Sequence, residues 1–347
     1  MKQYSIILVF IWVTFSSIGI NNFVHANEIK SKFNGHALLR YENETRLSNQ
    51  ADRERMRLIA RVGINTTWSA RWTSVLRAST GLKNKQNVPA ITIYKFTEQP
   101  QPDNDVFVER AFVQYASPQT QLRLGKQPWY LYNVTDTFWD RNLHPIGVSL
   151  KHQIAKGHKF NAGVLMPLDG QSGTIGQMYL AQYHFTKKTN NYTLNIAPWI
   201  AFFNGQGEAE FATRDTDIDH KSMRLSSSIK RGDWQLGVDT GLAIDSQRDD
   251  GENFSITTEL RHGNLKQAGN WLTQFGYSHV ERNAVIREFG QNARAAKLTT
   301  NFSGWDMRVR YKLNKSTWIG ARFSHLDSLE GPKVTSNRFR IEARWSF

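Results

Sequence analysis

The most constraining feature of this chain is the alternation of apolar and polar residues along many short segments, with no convincing helical period after residue 26. Successive side chains of a strand point to opposite faces, so a period of two predicts strands. The final segment is the clearest example, because Phe339, Ile341, Ala343, Trp345 and Phe347 alternate with polar residues. Segments 56–64 and 305–313 repeat the pattern. The alternation predicts an all-β protein.

Alternation of this kind fits either a soluble β-sandwich or a membrane barrel. In a sandwich the apolar face packs into a core, whereas in a barrel it meets lipid and the polar face lines the lumen. Aromatic residues at the ends of the apolar faces and an alternation of short with long connections favour the barrel. The candidate girdle residues are Trp72, Tyr115, Trp234, Trp271, Trp305 and Trp345.

We predict a transmembrane antiparallel β-barrel of about sixteen strands, with short periplasmic turns and long extracellular loops. An even number of strands brings both ends of the barrel to the short-turn rim, and closure leaves no sheet edge exposed to lipid. Counts of fourteen and eighteen strands are open alternatives. The predicted strands are 33–45, 54–65, 70–82, 106–116, 120–127, 145–153, 158–167, 177–187, 191–203, 220–230, 234–245, 254–262, 271–281, 304–313, 316–325 and 336–347.

Composition excludes several other classes. The chain has no cysteine, which removes disulfide frameworks, thiolate metal sites and cysteine nucleophiles. Only the segment from Tyr4 to Ile20 approaches the ~20 apolar residues that a membrane-spanning helix needs. The overall hydrophobic content of 39% still fits a barrel, because only alternate residues of its strands must be apolar.

The first 26 residues have the layout of an export signal. Lys2 precedes the apolar run 5–14, and Val24 and Ala26 are small residues before a predicted cleavage after Ala26. We therefore expect a signal peptide at 1–26 and a barrel at 27–347, with an N-terminal membrane anchor as the alternative. Without Lys2 the chain keeps 43 of its 44 basic residues against 30 acidic ones, so the positive charge belongs to the exported part.

Several motifs resemble the family of Gram-negative putative porins. The segments 108–115, 122–128, 138–143 and 146–148 are similar to its central signature, and the segment 39–42 with Arg57 and Arg61 is similar to its first hairpin. The resemblance implies a channel in the cell outer membrane. The 39–42 and 122–128 segments are also similar to the alginate-export family, whose barrels pass an anionic polysaccharide, although this chain is short for that group.

The expected partners follow from an outer-membrane location. They are outer-membrane lipid and lipopolysaccharide, the barrel-assembly machinery and small hydrophilic solutes, with a homotrimer left open as the assembly. The C-terminal Phe347 is similar to the signal that the assembly machinery reads, which is a general feature of barrels.

The polar faces of the predicted strands are rich in arginine. Turning each of these residues to lipid near the membrane midplane would cost roughly 2 to 4 kcal/mol, so they are predicted to face the lumen. They either serve a structural role by pairing with acids, or give the channel anion preference through surplus charge. The predicted pore-lining residues are Arg40, Glu42, Arg57, Arg61, Arg77, Arg110, Arg123, Arg308, Arg310, Arg322, Arg338, Arg340 and Arg344; the same face is predicted for Arg71, Arg224, Arg261, Asp239, Glu259, Asp306 and Glu342.

Residues 128–144 follow the fifth predicted strand, where sixteen-strand porins fold a loop into the lumen. By that resemblance Asp136 and Asp140, with Arg141, would form a constriction opposite the arginines. The aromatic residues Trp129 and Trp139 suit packing inside a barrel. The alternative is that this segment continues its two strands above the membrane.

No nucleotide-binding, metalloprotease, serine-hydrolase or dinucleotide motif occurs in the chain. The acidic run 215–219 resembles the start of a calcium loop, but His220 stands where that loop needs glycine. We expect no enzyme activity, cofactor, metal site or nucleic-acid partner. The predicted function is passive diffusion of small hydrophilic solutes with a preference for anions; the alternatives are an anionic-polysaccharide export channel, an outer-membrane hydrolase and a plugged structural or adhesive barrel.

Overall fold

The computed structural model describes residues 29–47, 52–82, 88–96, 104–167, 175–206, 220–244, 251–286, 289–290 and 298–347, so the predicted signal peptide and the acidic run 215–219 lie outside the described residues. The described part forms a closed antiparallel barrel with sixteen strands in its wall and one short additional strand. No helix of the described residues is long and apolar enough to cross a membrane. The strands are β1 Lys30–Leu47, β2 Arg53–Thr67, β3 Trp72–Leu82, β4 Ile91–Lys95, β5 Asn104–Ala116, β6 Thr120–Lys126, β7 Ile146–Ala155, β8 His158–Met166, β9 Ile175–Lys188, β10 Thr193–Gln206, β11 His220–Arg231, β12 Trp234–Ala243, β13 Phe254–Gly263, β14 Trp271–Val280, β15 Phe302–Lys312, β16 Thr317–Ser328 and β17 Thr335–Ser346.

The barrel closes where the first strand pairs with the last. β1 is hydrogen-bonded to β2 on one side and to β17 on the other. Beyond the end of β17, the amide of Gly35 donates to the carbonyl of Phe347 (3.0 Å) and the amide of Phe347 donates back to Gly35 (3.1 Å). A Cβ at Gly35 would lie 2.5 Å from the Phe347 ring, so only glycine fits there. Both ends of the barrel lie at the rim with the short turns, as predicted.

Among the strands of the described residues, β4 is the one that the alternation pattern did not predict. It lies inside the predicted 83–105 connection and pairs with residues 55–58 of β2, beyond the segment of β2 that pairs with β3. It therefore extends the wall at the long-connection rim, where β2 no longer pairs with β3. A five-residue strand is too short for its alternation to be separated from that of an irregular loop.

Large apolar side chains cover the outside of the barrel. Phe33, Leu76, Trp234 and Trp271 are all at least half exposed, as expected of residues that face lipid. Aromatic pairs stand on this face near the short turns, with ring centroids 5.3 Å apart for Trp72 and Tyr115, 4.6 Å for Trp271 and Tyr311 and 4.3 Å for Trp234 and His262.

The buried apolar core lies inside the barrel. It contains inward-facing residues of β8, β9 and β10, one residue each of β14, β15 and β16 (Val280, Phe302 and Leu326), and residues of the β6–β7 and β14–β15 connections. The connections and β8 to β10 supply, among others, Tyr130, Phe138, Trp139, Leu143, Met178, Trp199, Phe203, Ile286 and Phe289. Two connections thus fill part of the space that the wall encloses. The sequence predicted one of them, since residues 128–144 lie in the β6–β7 connection, but not the other.

Candidate functional site

Arginines of neighbouring strands stand side by side in transverse rows on one half of the inner wall. In the strand register Arg308 of β15 is opposite Arg322 of β16, which is opposite Arg340 of β17. Arg340 is opposite Glu42 of β1, and Glu42 is opposite Arg55 of β2. The row thus crosses the closure of the barrel. A second row, two residues nearer the short turns, contains Arg310, Glu342, Arg40 and Arg57.

Carboxylates hold part of this arginine wall in place. Glu42 is fully buried and accepts hydrogen bonds from Nε of Arg340 (2.6 Å) and Nε of Arg55 (2.8 Å), with Nη1 of Arg57 at 3.7 Å. A buried carboxylate is stable only when such partners replace its hydration. Further ion pairs join Arg338 to Glu44 (2.8 Å), Arg40 to Glu342 (2.7 Å), Arg322 to Asp306 (2.6 Å), Arg61 to Glu109 (2.7 Å) and Arg77 to Glu109.

Other lumen arginines have no carboxylate partner among the described residues. Arg308 and Arg344 make no ion pair, while Arg123 donates to the amide oxygen of Gln114 (2.8 Å) and Arg310 to that of Gln274 (2.5 Å). Neutral acceptors satisfy some of their N–H groups but leave their charge uncompensated. The inner wall therefore carries surplus positive charge.

The opposite half of the inner wall is neutral where it is buried. The buried inward-facing residues of β8, β9 and β10 are Asn161, Leu165, Met178, Leu180, Gln182, Ala197, Trp199, Ala201 and Phe203. Arg224 of the adjacent β11 is an exception, and its guanidinium packs over the rings of Phe138 (4.7 Å) and Trp199 (5.6 Å). The buried lumen wall thus has an arginine half and a neutral, mainly apolar half, which we call the apolar half.

The connection from residue 127 to residue 145, which we call the inner loop, crosses the lumen and is hydrogen-bonded to the far wall. The backbone amide of Tyr132 donates to Oε1 of Gln182 (2.9 Å), and its carbonyl accepts from Nε2 of the same residue (2.8 Å). The amides of Val134 (3.1 Å) and Thr135 donate to Asp239 of β12. These contacts fix the path of the loop backbone across the barrel.

Two glycines of the wall make room for the inner loop. A Cβ at Gly237 of β12 would lie 1.9 Å from Cγ1 of Val134, and one at Gly163 of β8 would lie 2.4 Å from the hydroxyl of Tyr130. Atoms cannot approach so closely, so the loop could not seat against either strand if the strand carried a side chain there.

An aromatic cluster joins the inner loop to the β14–β15 connection. Trp129 stacks on Trp139 at 4.3 Å, and the ring of Trp139 lies 5.4 Å from that of Phe289. The amide of Asp140 donates to the carbonyl of Phe289 (2.7 Å). The two connections therefore form one packed body, which lies against the apolar half of the wall.

The three loop residues predicted at a constriction occupy different positions. Asp136 and Arg141 are ion-paired and lie beside a small cavity that Arg261, Arg308 and Arg322 also line. The Arg141 guanidinium holds the pKa of Asp136 below its usual range, although burial opposes this, and Asp136 raises the pKa of Arg141 in turn. The pair therefore stays charged at neutral pH.

The side chain of Asp140, which was expected to face the arginines, is fully buried and is hydrogen-bonded within the loop. Its Oδ1 accepts hydrogen bonds from the backbone amide (2.8 Å) and the side-chain amide (2.9 Å) of Asn142. A short acidic side chain commonly bonds to the backbone two residues on and so forms a tight turn.

The inner loop returns to its starting wall through polar contacts. Arg61 donates to Oδ1 of Asn142 (2.8 Å), and Nε of Arg110 donates to Nε2 of His144 (3.0 Å). Burial and the nearby positive charges of Arg110, Arg77 and Arg61 hold the pKa of His144 well below its usual value. His144 is therefore neutral, with Nδ1 placed to donate to the carbonyl of Asn142 (2.9 Å).

The structure places the predicted arginine set and Glu42 on the inner face, together with Asp239, Glu259, Asp306 and Glu342. Arg71 is different: it lies in the β2–β3 turn and its guanidinium is 3.4 Å from the hydroxyl of Tyr115, an outward-facing girdle residue. The alternation was extrapolated one residue beyond the start of β3 at Trp72, and a turn residue no longer follows the period of the strand.

Sequence reasoning missed several residues of this region. Glu109 precedes Arg110, and strict alternation would turn one of the two towards lipid. The pairing of β3 with β5 shifts by one residue here, so both side chains point inward. Glu44, Arg55 and Gln182 were missed because their role depends on the register between strands, which alternation within a single strand does not give.

The described parts of the chain contain no group of three or more side chains that could hold a metal ion. What the geometry can do is bind and conduct charged solutes: guanidinium groups with uncompensated charge face a lumen that the inner loop narrows. Arginine presents a planar fork that suits carboxylate and phosphate groups.

Comparisons with known proteins identify the family of this chain. The chain matches the family described as "Putative porin" over residues 16–192 and 211–347. A search of curated protein sequences gives no match. The barrel is similar to OprB of Pseudomonas putida, with a TM-score of 0.61 at 6% identity, covering 91% of this chain and 94% of that one.

Two further solved structures share the fold. A loop L8 deletion mutant of OmpT of Vibrio cholerae has a TM-score of 0.54 at 14% identity, and OccK9 of Pseudomonas aeruginosa has 0.53 at 10%; each comparison covers 92% of this chain and 99% of the other. At such identities the likeness shows the fold alone, whereas the family match spans most of the sequence. The chain is therefore a β-barrel channel of the outer membrane and belongs to the putative porin family.

Proposed function

We propose that this channel passes small hydrophilic solutes by passive diffusion and prefers anions. The observation that carries the proposal is the pair of transverse arginine rows, in which carboxylates compensate only some of the guanidinium charges. Positive charge fixed on a wall with a low dielectric constant behind it raises the local anion concentration and lowers that of cations. The family and the fold point to a channel rather than an enzyme.

The predicted pore-lining arginines and the ion pair of Asp136 with Arg141 are the residues we assign to the passage. The cavity beside that pair is bounded by arginines of β13, β15 and β16 and by the inner loop. The loop packs against the apolar half of the wall, which leaves the arginine half facing the path of the solute. We assign the constriction to this place, with Asp140 acting as a structural residue of the loop.

The test is the reversal potential of the reconstituted channel in a planar bilayer that separates two concentrations of potassium chloride. We expect the sign that indicates chloride preference, with a smaller magnitude at 1 M than at 0.1 M salt because the screening length falls from about 10 Å to about 3 Å. Potassium preference would contradict the anion proposal. A barrel that does not conduct would contradict the channel proposal as well.

A pair of variants separates wall charge from total charge. R308Q/R344Q removes two arginines that have no ion pair among the described residues, and we expect its chloride preference to fall. K221Q/K333Q removes two positive charges near the rim with the long connections, and we expect little change in its chloride preference. Equal effects of the two double variants would show that no local site sets the selectivity.

Solute size has its own measurement. Swelling of liposomes that contain the channel, in sugars and organic acids of graded size, gives the cut-off for passage. We expect organic acids to pass faster than neutral sugars of the same size. An anionic-polysaccharide exporter would instead fail to pass the small sugars.

Export and assembly complete the proposal. We propose cleavage of the signal peptide after Ala26, which N-terminal sequencing of the protein from outer membranes would check. We also propose that Phe347 is read by the barrel-assembly machinery. Deleting Phe347 removes both its side chain and its backbone hydrogen bonds to Gly35, whereas F347A removes only the side chain. If the side chain is the signal, F347A should also lower the amount of folded barrel in the outer membrane.

We propose a homotrimer as the assembly. An apolar groove on the outer face of β7 to β10, lined by Val148, Leu150, Ala162, Val164, Ala181 and Ile200 among others, offers small side chains at which another barrel could approach closely. Native mass spectrometry in mild detergent would show the trimer mass, and a monomer alone would contradict this assignment.

A further inference from the structure

Basic residues are distributed around the periplasmic rim of the barrel. Every short turn except the β5–β6 turn carries a lysine or an arginine in the turn or within two strand residues of it. We take one exposed base at each of these six turns and call them the rim bases: Arg71, Lys156, Lys187, Arg231, Lys266 and Lys315. All six are exposed, and none makes an ion pair with another described residue. The charge is therefore available to something outside the chain.

Acidic residues are almost absent from the same rim. Asp233 is the one acidic residue in the described turns 68–71, 117–119, 156–157, 189–192, 232–233, 264–270 and 313–316. The described connections of the opposite rim carry acids such as Asp52, Glu252 and Glu330. The rim bases thus belong to one end of the barrel and are not part of a mixed surface.

The rim bases lie at the height of lipid headgroups. Arg71 contacts the hydroxyl of the girdle residue Tyr115. Arg231 is opposite Trp234 in the strand register, and Lys187 follows Phe185 on the same outward face. One or two residues of strand, at about 3.3 Å each, carry these groups from the aromatic girdle into the interfacial layer, which is roughly 5 to 8 Å thick.

We propose that the rim bases bind the anionic phospholipid headgroups of the periplasmic leaflet. A macromolecule docked beneath the barrel would need positive charge on one side, whereas these bases surround the wall on all but one hairpin, as the lipid leaflet does. Flexible lysine and arginine stems can follow the apolar wall and hold their charged heads in the interface. This inference concerns the outer rim and does not depend on conduction through the lumen.

Tryptophan fluorescence offers a direct test, because Trp72, Trp234, Trp271 and Trp345 lie on the outer face near this rim. The barrel is reconstituted in phosphatidylcholine vesicles that contain one brominated lipid, either brominated phosphatidylglycerol or brominated phosphatidylcholine. Brominated chains quench tryptophan fluorescence on contact. We expect stronger quenching by the brominated phosphatidylglycerol, with the difference lost in 0.5 M sodium chloride.

Matched triple variants assign the effect to the rim. The variant K156Q/K266Q/K315Q removes three rim bases at turn tips. Each of the three substitutions should lower the preference for the anionic lipid by up to about fivefold, which is typical of one base near an anionic surface. K95Q/K221Q/K333Q removes the same charge near the opposite rim and should keep the preference. Retained heat-dependent mobility on gels shows that each variant is folded.

Three results would overturn the proposal: no lipid preference in the unmodified protein, an unchanged preference in the rim variant, or equal losses in the two triple variants. A fourth arm adds soluble polyphosphate to vesicles of phosphatidylcholine alone. Binding of polyphosphate by a protein that shows no lipid preference would mean that the rim serves a soluble polyanion, and would also overturn it.

Discussion

Glu42 illustrates how a single residue organises the inner wall. It stands in a row of arginines, is fully buried, and contacts side chains from β2 and β17 while belonging to β1. Arginine cannot lose its proton at accessible pH, so a buried cluster of this kind needs its carboxylate. Glu109 has the same role for Arg61 and Arg77.

We expect E42Q to lower the free energy of unfolding by about 3 to 5 kcal/mol, the range for breaking a buried ion pair from one side. Glutamine keeps the size of the side chain and removes only the charge, so the arginines are left facing one another. Urea titration of the barrel in lipid vesicles measures the change. E330Q, at an exposed position, is the control and should alter the free energy of unfolding by less than about 0.5 kcal/mol.

His144 makes stability depend on pH. Its pKa is held below the usual value in the barrel, so on acidification the unfolded chain binds a proton that the folded chain does not. Stability should therefore fall as the pH drops from 7 to 5. In H144N that contribution is absent, and the free energy of unfolding should change less over the same interval; an identical pH slope would contradict the assignment.

Alternation within a regular strand predicts which of its residues share a face of the barrel. It could not predict which residues of different strands become neighbours, because register depends on turn geometry and on bulges that are not visible in a period of two. Arg308, Arg322 and Arg340 were each predicted to face inward, but their place in one row came only from the structure.

At the scale of elements, the inner loop is held by the wall as much as by its own packing. Gln182 of β9, Asp239 of β12 and Thr257 of β13 each bond to it, and Trp139 packs it against the β14–β15 connection. Its aromatic composition indicated that it would be buried. The β14–β15 connection gave no such signal, since its buried residues 284–286 form a short apolar run without periodicity.

We expect D239A to increase the fluctuation of the open current of single channels. The substitution leaves the amides of Val134 and Thr135 without their acceptor, and each lost bond to a buried group costs about 1 to 3 kcal/mol. The middle of the inner loop should then leave the wall part of the time. Single-channel recording is the measurement.

D233A, in the turn that precedes the same strand, is the matched control because it removes a carboxylate that makes no contact with the inner loop. We expect its conductance and current noise to equal those of the unmodified channel. If D239A behaves like D233A, the inner loop does not need this anchor.

At the scale of the whole molecule, charge is arranged along the barrel axis. Basic residues surround the periplasmic rim, surplus arginine lines the lumen, and the described extracellular connections carry acids. The strand count, the closure and the position of both ends were predictable, because lipid imposes the same alternation on every strand of a barrel. The distribution of charge was predictable only as a total, since it depends on which residues the turns expose.

This arrangement predicts a channel that rectifies current. With inserted channels in one orientation, the current at 0.1 M salt should differ between equal voltages of opposite sign, because fixed charge differs between the two mouths. The asymmetry should shrink at 1 M salt, where screening is stronger. Symmetric current at low salt would mean that the charges at the rims are too far from the conducting path to matter.

The position of the ion pairs at the closure of the barrel has a consequence for its biogenesis. Glu42 and Glu44 belong to the strand synthesised first, and their partners Arg340 and Arg338 belong to the strand synthesised last. Until the chain is complete, Glu44 lacks Arg338 and Glu42 lacks Arg340, so that Glu42 is held by Arg55 and Arg57 of β2. A slip of β17 by one residue in this final pairing would turn Arg338 and Arg340 towards lipid. The ion pairs thus favour closure of the barrel by a full-length chain in which β1 and β17 pair in the correct register.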